Sequence, residues 1–188
     1  MQTQQSVPLS DVVPRPKKSF FLLIALISTL VLLATDIYTP AMPAVGEYFH
    51  VNNQAVQLTI TLFLVSFSLS QLVYGSLSDH FGRRPFILLG LLIYLLGTLL
   101  CAIATHIELL YFGRFLQGAG AGAIASLNRV MVNELFSGIE LVKIMSYLAA
   151  IVCMTPAFAP VLGGIIQTHL SWRWIFLLLL AYAVIATV

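Results

Sequence analysis

Gly75-Ser-Leu-Ser-Asp79-His-Phe-Gly82-Arg83-Arg84-Pro85 is a polar island between two long apolar runs, and its reading decides the fold. Two adjacent arginines are expensive inside hydrocarbon, so they fix this point of the chain at one face of a membrane. Gly82 permits a tight turn with positive φ, which a Cβ would oppose. Pro85 suits the first turn of a following helix, where its missing N–H is not needed. Gly75 lies on the preceding run, where a small residue lets helices approach closely. An ordinary positive-inside turn accounts for the arginines but leaves Asp79 unexplained, because a simple anchor needs no acid. Asp79 is suited to a helix N-terminus or a basic partner, and so to holding two bundles together.

Outward from that island the chain is apolar almost throughout. Sixty per cent of the 188 residues are apolar and nine per cent are charged, against about a quarter charged in a soluble domain. The outside of such a protein faces lipid. A span needs about 20 mostly apolar residues. Breaking the chain at its charged and turn-rich points predicts six, at 20–42, 56–76, 86–104, 109–131, 143–166 and 173–188. Residues 1–19 form a polar tail containing Pro8, Pro14 and Pro16, and the connections leave no room for a soluble domain. The first run, Phe20 to Thr35, is longer than a signal-peptide core and has no small-residue cleavage site after it, so it reads as a retained span.

Orientation follows from the basic residues. With the N-terminus cytoplasmic, that side receives Arg15, Lys17, Lys18, Arg83, Arg84, Arg129 and Lys143, and the opposite side only Arg173. The last run ends at Val188, about 15 residues or some 22 Å past Arg173 in a core about 30 Å thick. The expectation is a bundle at 20–188 cut within its sixth helix. Cys101 and Cys153 fall inside apolar runs and read as small packing residues.

Two ionisable residues lie well inside predicted spans, where each costs about 3 kcal/mol on insertion scales and generally faces the bundle interior. Asp36 is roughly 9 Å, or six residues, from the outer end of the first span. Arg114 is roughly 8 Å, or five residues, into the fourth span from the same face. An acid and a base therefore share one depth. One reading makes Asp36 a site where protonation and substrate occupancy compete, with Arg114 tuning or pairing because it cannot release its own proton. The other makes them a structural ion pair, or leaves Asp36 wetted at the surface. Pro40 and Pro43 break or kink the helix beside the acid, and irregular backbone at this depth is tolerated where it lines a cavity. Tyr38 and Met42 offer an adaptable surface for mixed substrates, or serve as interface anchors.

The island resembles the G-x-x-x-D-x-x-G-R-[KR] signature between helices two and three of the major facilitator superfamily. The resemblance implies that Gly75, Asp79, Gly82, Arg83 and Arg84 latch an N-terminal bundle to a C-terminal one, with Glu134 as an acidic partner at the end of helix four. It also implies six helices arranged as two inverted three-helix repeats. Asp36-Ile-Tyr38-Thr-Pro40-Ala-Met-Pro43 resembles the D-x-Y-x-P-x-x-P pattern of the bicyclomycin and chloramphenicol resistance (Bcr/CflA) branch of drug:proton antiporters. Arg114-Phe-Leu-Gln117-Gly118-Ala-Gly120 is similar to the superfamily's R-x-x-Q-G-x-G motif, whose arginine the family assigns to proton coupling. Gly118 and Gly122 also form a G-x-x-x-G pair that allows close packing on its own account. Pro156, Pro160, Gly163 and Gly164 match the helix-five antiporter motif, although Ser146, Thr155 and Ala159 stand where it carries glycines. The two prolines predict a kink there. Ser171-Trp172-Arg173-Trp174 is typical of the family's turn before helix six, and its physical content is an aromatic belt at the outer interface.

His50, His80, His106 and His169 fall in predicted connections without an i, i+4 pair, so no metal site is expected. No G-x-x-x-x-G-K-[ST] loop is present, which disfavours ATP-driven transport and leaves an ion gradient. No nucleophile and buried histidine support an enzyme, no cofactor is implied, and nothing suggests nucleic-acid binding. The resemblance points to a multi-pass inner-membrane protein with a cytoplasmic N-terminus that exchanges protons for small amphipathic drugs or metabolites. Its partner would be a C-terminal six-helix half or a second copy. An uncoupled facilitator or sugar exporter of the same fold, and a non-transporting half-transporter fragment, stand beside that reading.

Overall fold

The structure is a computed structural model describing the backbone at residues 18–81 and 83–185, and the side chains at 24–75 and 85–185. It is helical throughout these residues: α1 (Lys18–Asp36), a 3-10 turn (Thr39–Ala41), α2 (Met42–Phe49), α3 (Asn53–Phe81), α4 (Arg83–Ala102), α5 (Ile107–Leu135), α6 (Gly138–His169) and α7 (Trp172–Ile185). Four segments are long and apolar enough to cross a bilayer: Ile24–Phe49, Asn53–Gly75, Pro85–Ala102 and Gly138–His169. The 14 described residues of α7 are apolar but shorter than a span. α5 has 29 residues, yet Glu108, Arg114, Gln117, Asn128, Arg129 and Glu134 dilute its hydropathy. It lies along both α3 and α4, where Arg114, Gln117 and Asn128 are buried.

α3, α5 and α6 run beyond both predicted ends, because backbone hydrogen bonding continues into the interfacial zone where hydropathy has already fallen. The main departure is in the first span. Expected as one helix to residue 42, it ends at Asp36, turns, and resumes as α2. Pro40 has no N–H to offer the carbonyl of Asp36, and its ring crowds that carbonyl, so the helical ladder stops there. In α6, by contrast, the helix is continuous through Pro156 and Pro160.

Close packing follows the small residues. A Cβ on Gly118 would strike the Phe63 carbonyl and the Ser66 hydroxyl of α3, and one on Gly122 the Ser70 hydroxyl and the Phe67 carbonyl. The G-x-x-x-G pair is therefore a seam between α5 and α3. Gly75 differs from expectation: a Cβ there would meet Ser126 Oγ at 3.7 Å, an ordinary contact. α1 packs against α6 and α7, and α4 against α7. Arg114 reaches the carbonyl of Ala34 while Asn128 reaches that of Ile24, so α1 and α5 run antiparallel. Cys101 is buried, but Cys153 is exposed on α6 and does not pack within the bundle.

Candidate functional site at the break in the first helix

The break leaves the last carbonyls of α1 without the main-chain donors that a continuing helix would supply. Side chains take part of that role. Thr39 Oγ1 donates to the Thr35 carbonyl at 3.0 Å, and Arg114 Nη1 donates to the Ala34 carbonyl at 3.2 Å. The guanidinium comes from α5 and is fully buried. Nη1 also donates to Gln117 Oε1 at 2.9 Å, and Gln117 Nε2 donates to Thr98 Oγ1 of α4 at 2.9 Å. The Thr98 hydroxyl passes its own proton to the Tyr94 carbonyl at 2.7 Å. A polar thread thus crosses from α1 through α5 to α4.

Aromatic faces surround the cation. The guanidinium carbon lies 3.9 Å from the centroid of Tyr38, 4.8 Å from Phe176 and 5.8 Å from Phe63. The hydroxyls of Tyr38 and Thr59 are hydrogen-bonded, 3.2 Å apart, which sets the Tyr38 ring. A desolvated cation–π contact is worth about 2 kcal/mol, less than the several kcal/mol that burying an ion costs. The cage therefore stabilises Arg114 only in part. Its Nε and Nη2 have no hydrogen-bond partner, and neither does the buried hydroxyl of Tyr94.

Asp36 ends α1, two residues beyond the carbonyl that Arg114 holds. Its Oδ1 accepts from Thr35 Oγ1 at 3.4 Å, and its Oδ2 is buried without a partner. The two charges share a level in the bundle, yet no hydrogen bond joins them. The site thus presents a carboxylate oxygen without a donor and a guanidinium with two unused nitrogens. Chemically, it can hold a cation in a dry aromatic cage and offer two further donors to whatever acceptor comes within reach.

α6 packs against the break. Thr155, Ala159 and Gly163 are its buried residues along this stretch, spaced every four positions on one stripe. A Cβ on Gly163 would strike the Ile37 carbonyl and lie 2.9 Å from Pro40 Cγ, whereas one on Gly164 would meet nothing within 4 Å. Of the positions where the antiporter motif carries glycine, Thr155 and Ala159 lie on the packed stripe, while Ser146 is exposed. Pro156 is exposed and Pro160 half-buried.

The remaining sequence-derived sites lie elsewhere. Glu134 is exposed in the last turn of α5, and Gly75 lies on α3 facing Ser126. Gly82 and the side chains of Asp79, Arg83 and Arg84 lie outside the described residues. The Ser171–Trp174 turn is only half a belt. Trp174 is exposed, but Trp172 is buried and packs against Phe176 and Phe49. Arg173 donates to the Ala104 carbonyl at 2.8 Å and to the Tyr48 hydroxyl at 2.9 Å, tying α7 to the ends of α4 and α2. Sequence reasoning missed Asn128, whose amide donates to Ser28 Oγ at 2.8 Å and the Ile24 carbonyl at 3.3 Å. An asparagine inside a predicted span was the available signal. Phe63, Tyr94 and Phe176 gave none, being ordinary apolar residues of apolar helices.

The Major Facilitator Superfamily profile matches residues 24–188. An uncharacterized MFS-type transporter of Bacillus subtilis is 35% identical over 156 residues, covering 82% of this chain and 39% of its own length. Multidrug resistance protein D of Escherichia coli is 32% identical over 162 residues, covering 86% of this chain and 41% of its own. A chloramphenicol resistance protein of Pseudomonas aeruginosa is 33% identical over 156 residues, covering 82% and 37%. The chain thus spans about two fifths of the length of these curated relatives.

Proposed function

This chain belongs to the major facilitator superfamily, and from that premise we propose that it forms the N-terminal bundle of a proton-coupled exporter of drugs or amphipathic metabolites. In this reading α1 with α2, and then α3 to α7, make six spans as two inverted three-helix repeats in the bacterial inner membrane. Residues 1–19 are a cytoplasmic tail, and a second six-helix half or a second copy completes the transport path. The relatives support export, since they include a multidrug resistance protein and a chloramphenicol resistance protein.

One observation carries the coupling: at the same level of the bundle, Asp36 Oδ2 and Arg114 Nε and Nη2 are all buried without partners. Two opposite charges left open at one level have an obvious second arrangement, in which the carboxylate closes onto the guanidinium. Protonating Asp36 removes the attraction, so the proton selects between an open and a closed break in α1. Tyr38 and Gln117 hold the guanidinium in place for that exchange. α6, through Gly163, Pro156 and Pro160, bears on the same break. The Gly75–Arg84 island and Glu134 latch the bundle to its other half in this proposal.

The test uses full-length protein in energised membrane vesicles, comparing Asp36→Asn with the wild type. Asn keeps the shape and cannot exchange a proton, so substrate-driven proton movement should vanish while counterflow of substrate persists. Undiminished proton movement in Asp36→Asn would refute the assignment.

A further inference from the structure

A cavity of about 440 Å³ lies between α1, α3, α5 and α6, on the side of α1 that faces α5. Three of these helices contribute one stripe each, at positions i, i+3, i+4 and i+7 counted from Ser28 on α1, Ala125 on α5 and Met145 on α6. That register presents a single helix face. The volume is within the range of small-molecule sites, about 300–1,000 Å³. One end is at Thr35, next to Asp36. The other is at Arg129, about 10 Å away along α1 by the seven-residue rise from Ser28 to Thr35.

The walls are mostly apolar, and the lining holds four clearly polar residues: Ser28, Thr35, Asn128 and Arg129. Their protons can be followed one by one. Ser28 donates its hydroxyl proton to the Ile24 carbonyl at 2.8 Å, and Thr35 shares its one proton between the Leu32 carbonyl at 3.0 Å and Asp36 Oδ1 at 3.4 Å. Asn128 spends its amide on Ser28 and Ile24. Arg129 is exposed, is the one ionisable residue of the lining, and has no hydrogen bond or ion pair to another described residue. The unspent donors of the cavity are therefore those of one guanidinium, which prefers a carboxylate or a similar planar acceptor. A lipophilic cation would find no acid in this lining and would face a like charge instead.

We propose that Arg129 sets the substrate class, and that the cavity takes amphipathic molecules with an apolar body and an anionic, acceptor-rich head in preference to lipophilic cations. This rests on the transport reading above and narrows its substrate. The chemistry suits export: an anion leaving a negative-inside cell moves with the membrane potential, so each proton entering in exchange adds to that drive.

The experiment compares two tritiated probes with one body, 4-(biphenyl-4-yl)butyrate and the trimethylammonium analogue, binding to full-length protein in an uncharged detergent. The butyrate should bind about tenfold tighter, and Arg129→Gln should remove about that factor for the butyrate alone, as expected for one charge-assisted contact. Arg129→Lys should keep the preference, which separates charge recognition from a folding defect. Equal binding, tighter binding of the ammonium, an unchanged butyrate affinity in Arg129→Gln, or binding of neither probe would each overturn the proposal. Substrate-driven proton movement by the wild-type protein separates the two ideas. A butyrate preference without proton exchange sinks the coupling and leaves the substrate class standing, and proton exchange with an ammonium preference does the reverse.

Discussion

Gly163 and Gly164 are neighbours in α6 with opposite surroundings, so the same substitution should move stability in opposite directions. A Cβ at 163 enters the space of the Ile37 carbonyl and lies 2.9 Å from Pro40 Cγ. Both neighbours belong to the stiff turn after α1, so α6 itself must back away. Overpacking of this kind costs about 1–3 kcal/mol, offset by about 1 kcal/mol of helix propensity gained when Gly becomes Ala. A Cβ at 164 meets nothing within 4 Å, leaving only the gain of about 1 kcal/mol. For a chain of this size about 1 kcal/mol moves the midpoint by roughly 2–4 °C. Gly163→Ala should therefore unfold up to about 8 °C lower than wild type, and Gly164→Ala about 2–4 °C higher, by the same conversion. The assay is intrinsic fluorescence on heating, in a single detergent, read from Trp172 and Trp174 at the start of α7. Equal shifts of the same sign would show that Gly163 is not wedged against the break, and that the contact between α6 and α1 has been misread.

Two further outcomes follow from the polar links. Asn128→Leu removes two donors that tie α5 to α1, and at about 0.6 kcal/mol per interhelical bond should lower the midpoint by a few degrees. Asn128→Asp should be worse than Asn128→Leu, because it sets a carboxylate against the acceptors Ile24 O and Ser28 Oγ; a midpoint equal to wild type would remove the asparagine from the bundle's supports. Arg114→Lys keeps the charge but not the plane that stacks 3.9 Å over Tyr38, so export into vesicles should fall by about tenfold or more, the value of a desolvated cation–π contact. Export at the wild-type rate would mean that charge alone is needed at this position.

The helices were legible because apolar runs interrupted by arginines admit few alternatives. The break in α1 was half legible. Two prolines announced it, but its position follows from the carbonyl four residues before Pro40, which is that of Asp36, rather than from the end of the apolar run. α5 is the element that hydropathy treats worst, since its polar residues point into the bundle and only packing reveals where they go. At the site, the spacing of Asp36 and Arg114 placed them at one level, and the structure agrees. It could not show that the arginine would turn to Ala34 and Gln117 instead of the acid. That choice is made by Tyr38, Phe63 and Phe176, which come from three different segments and carry no mark in the sequence. Trp172 is a similar case: a tryptophan at a membrane boundary reads as a belt residue until α2 is found lying against it.

The composition of α5 also bears on how the protein is made. Its glycines at 118 and 122 present bare backbone, and its buried polar side chains find their partners on α1 and α4. Alone in lipid such a segment would be a poor tenant, with several unanswered hydrogen bonds. Its neighbours α3 and α4 precede it along the chain and emerge from the ribosome first. By the time α5 leaves the insertion machinery, the groove that receives it has already been synthesised, so the order of translation is also a workable order of assembly.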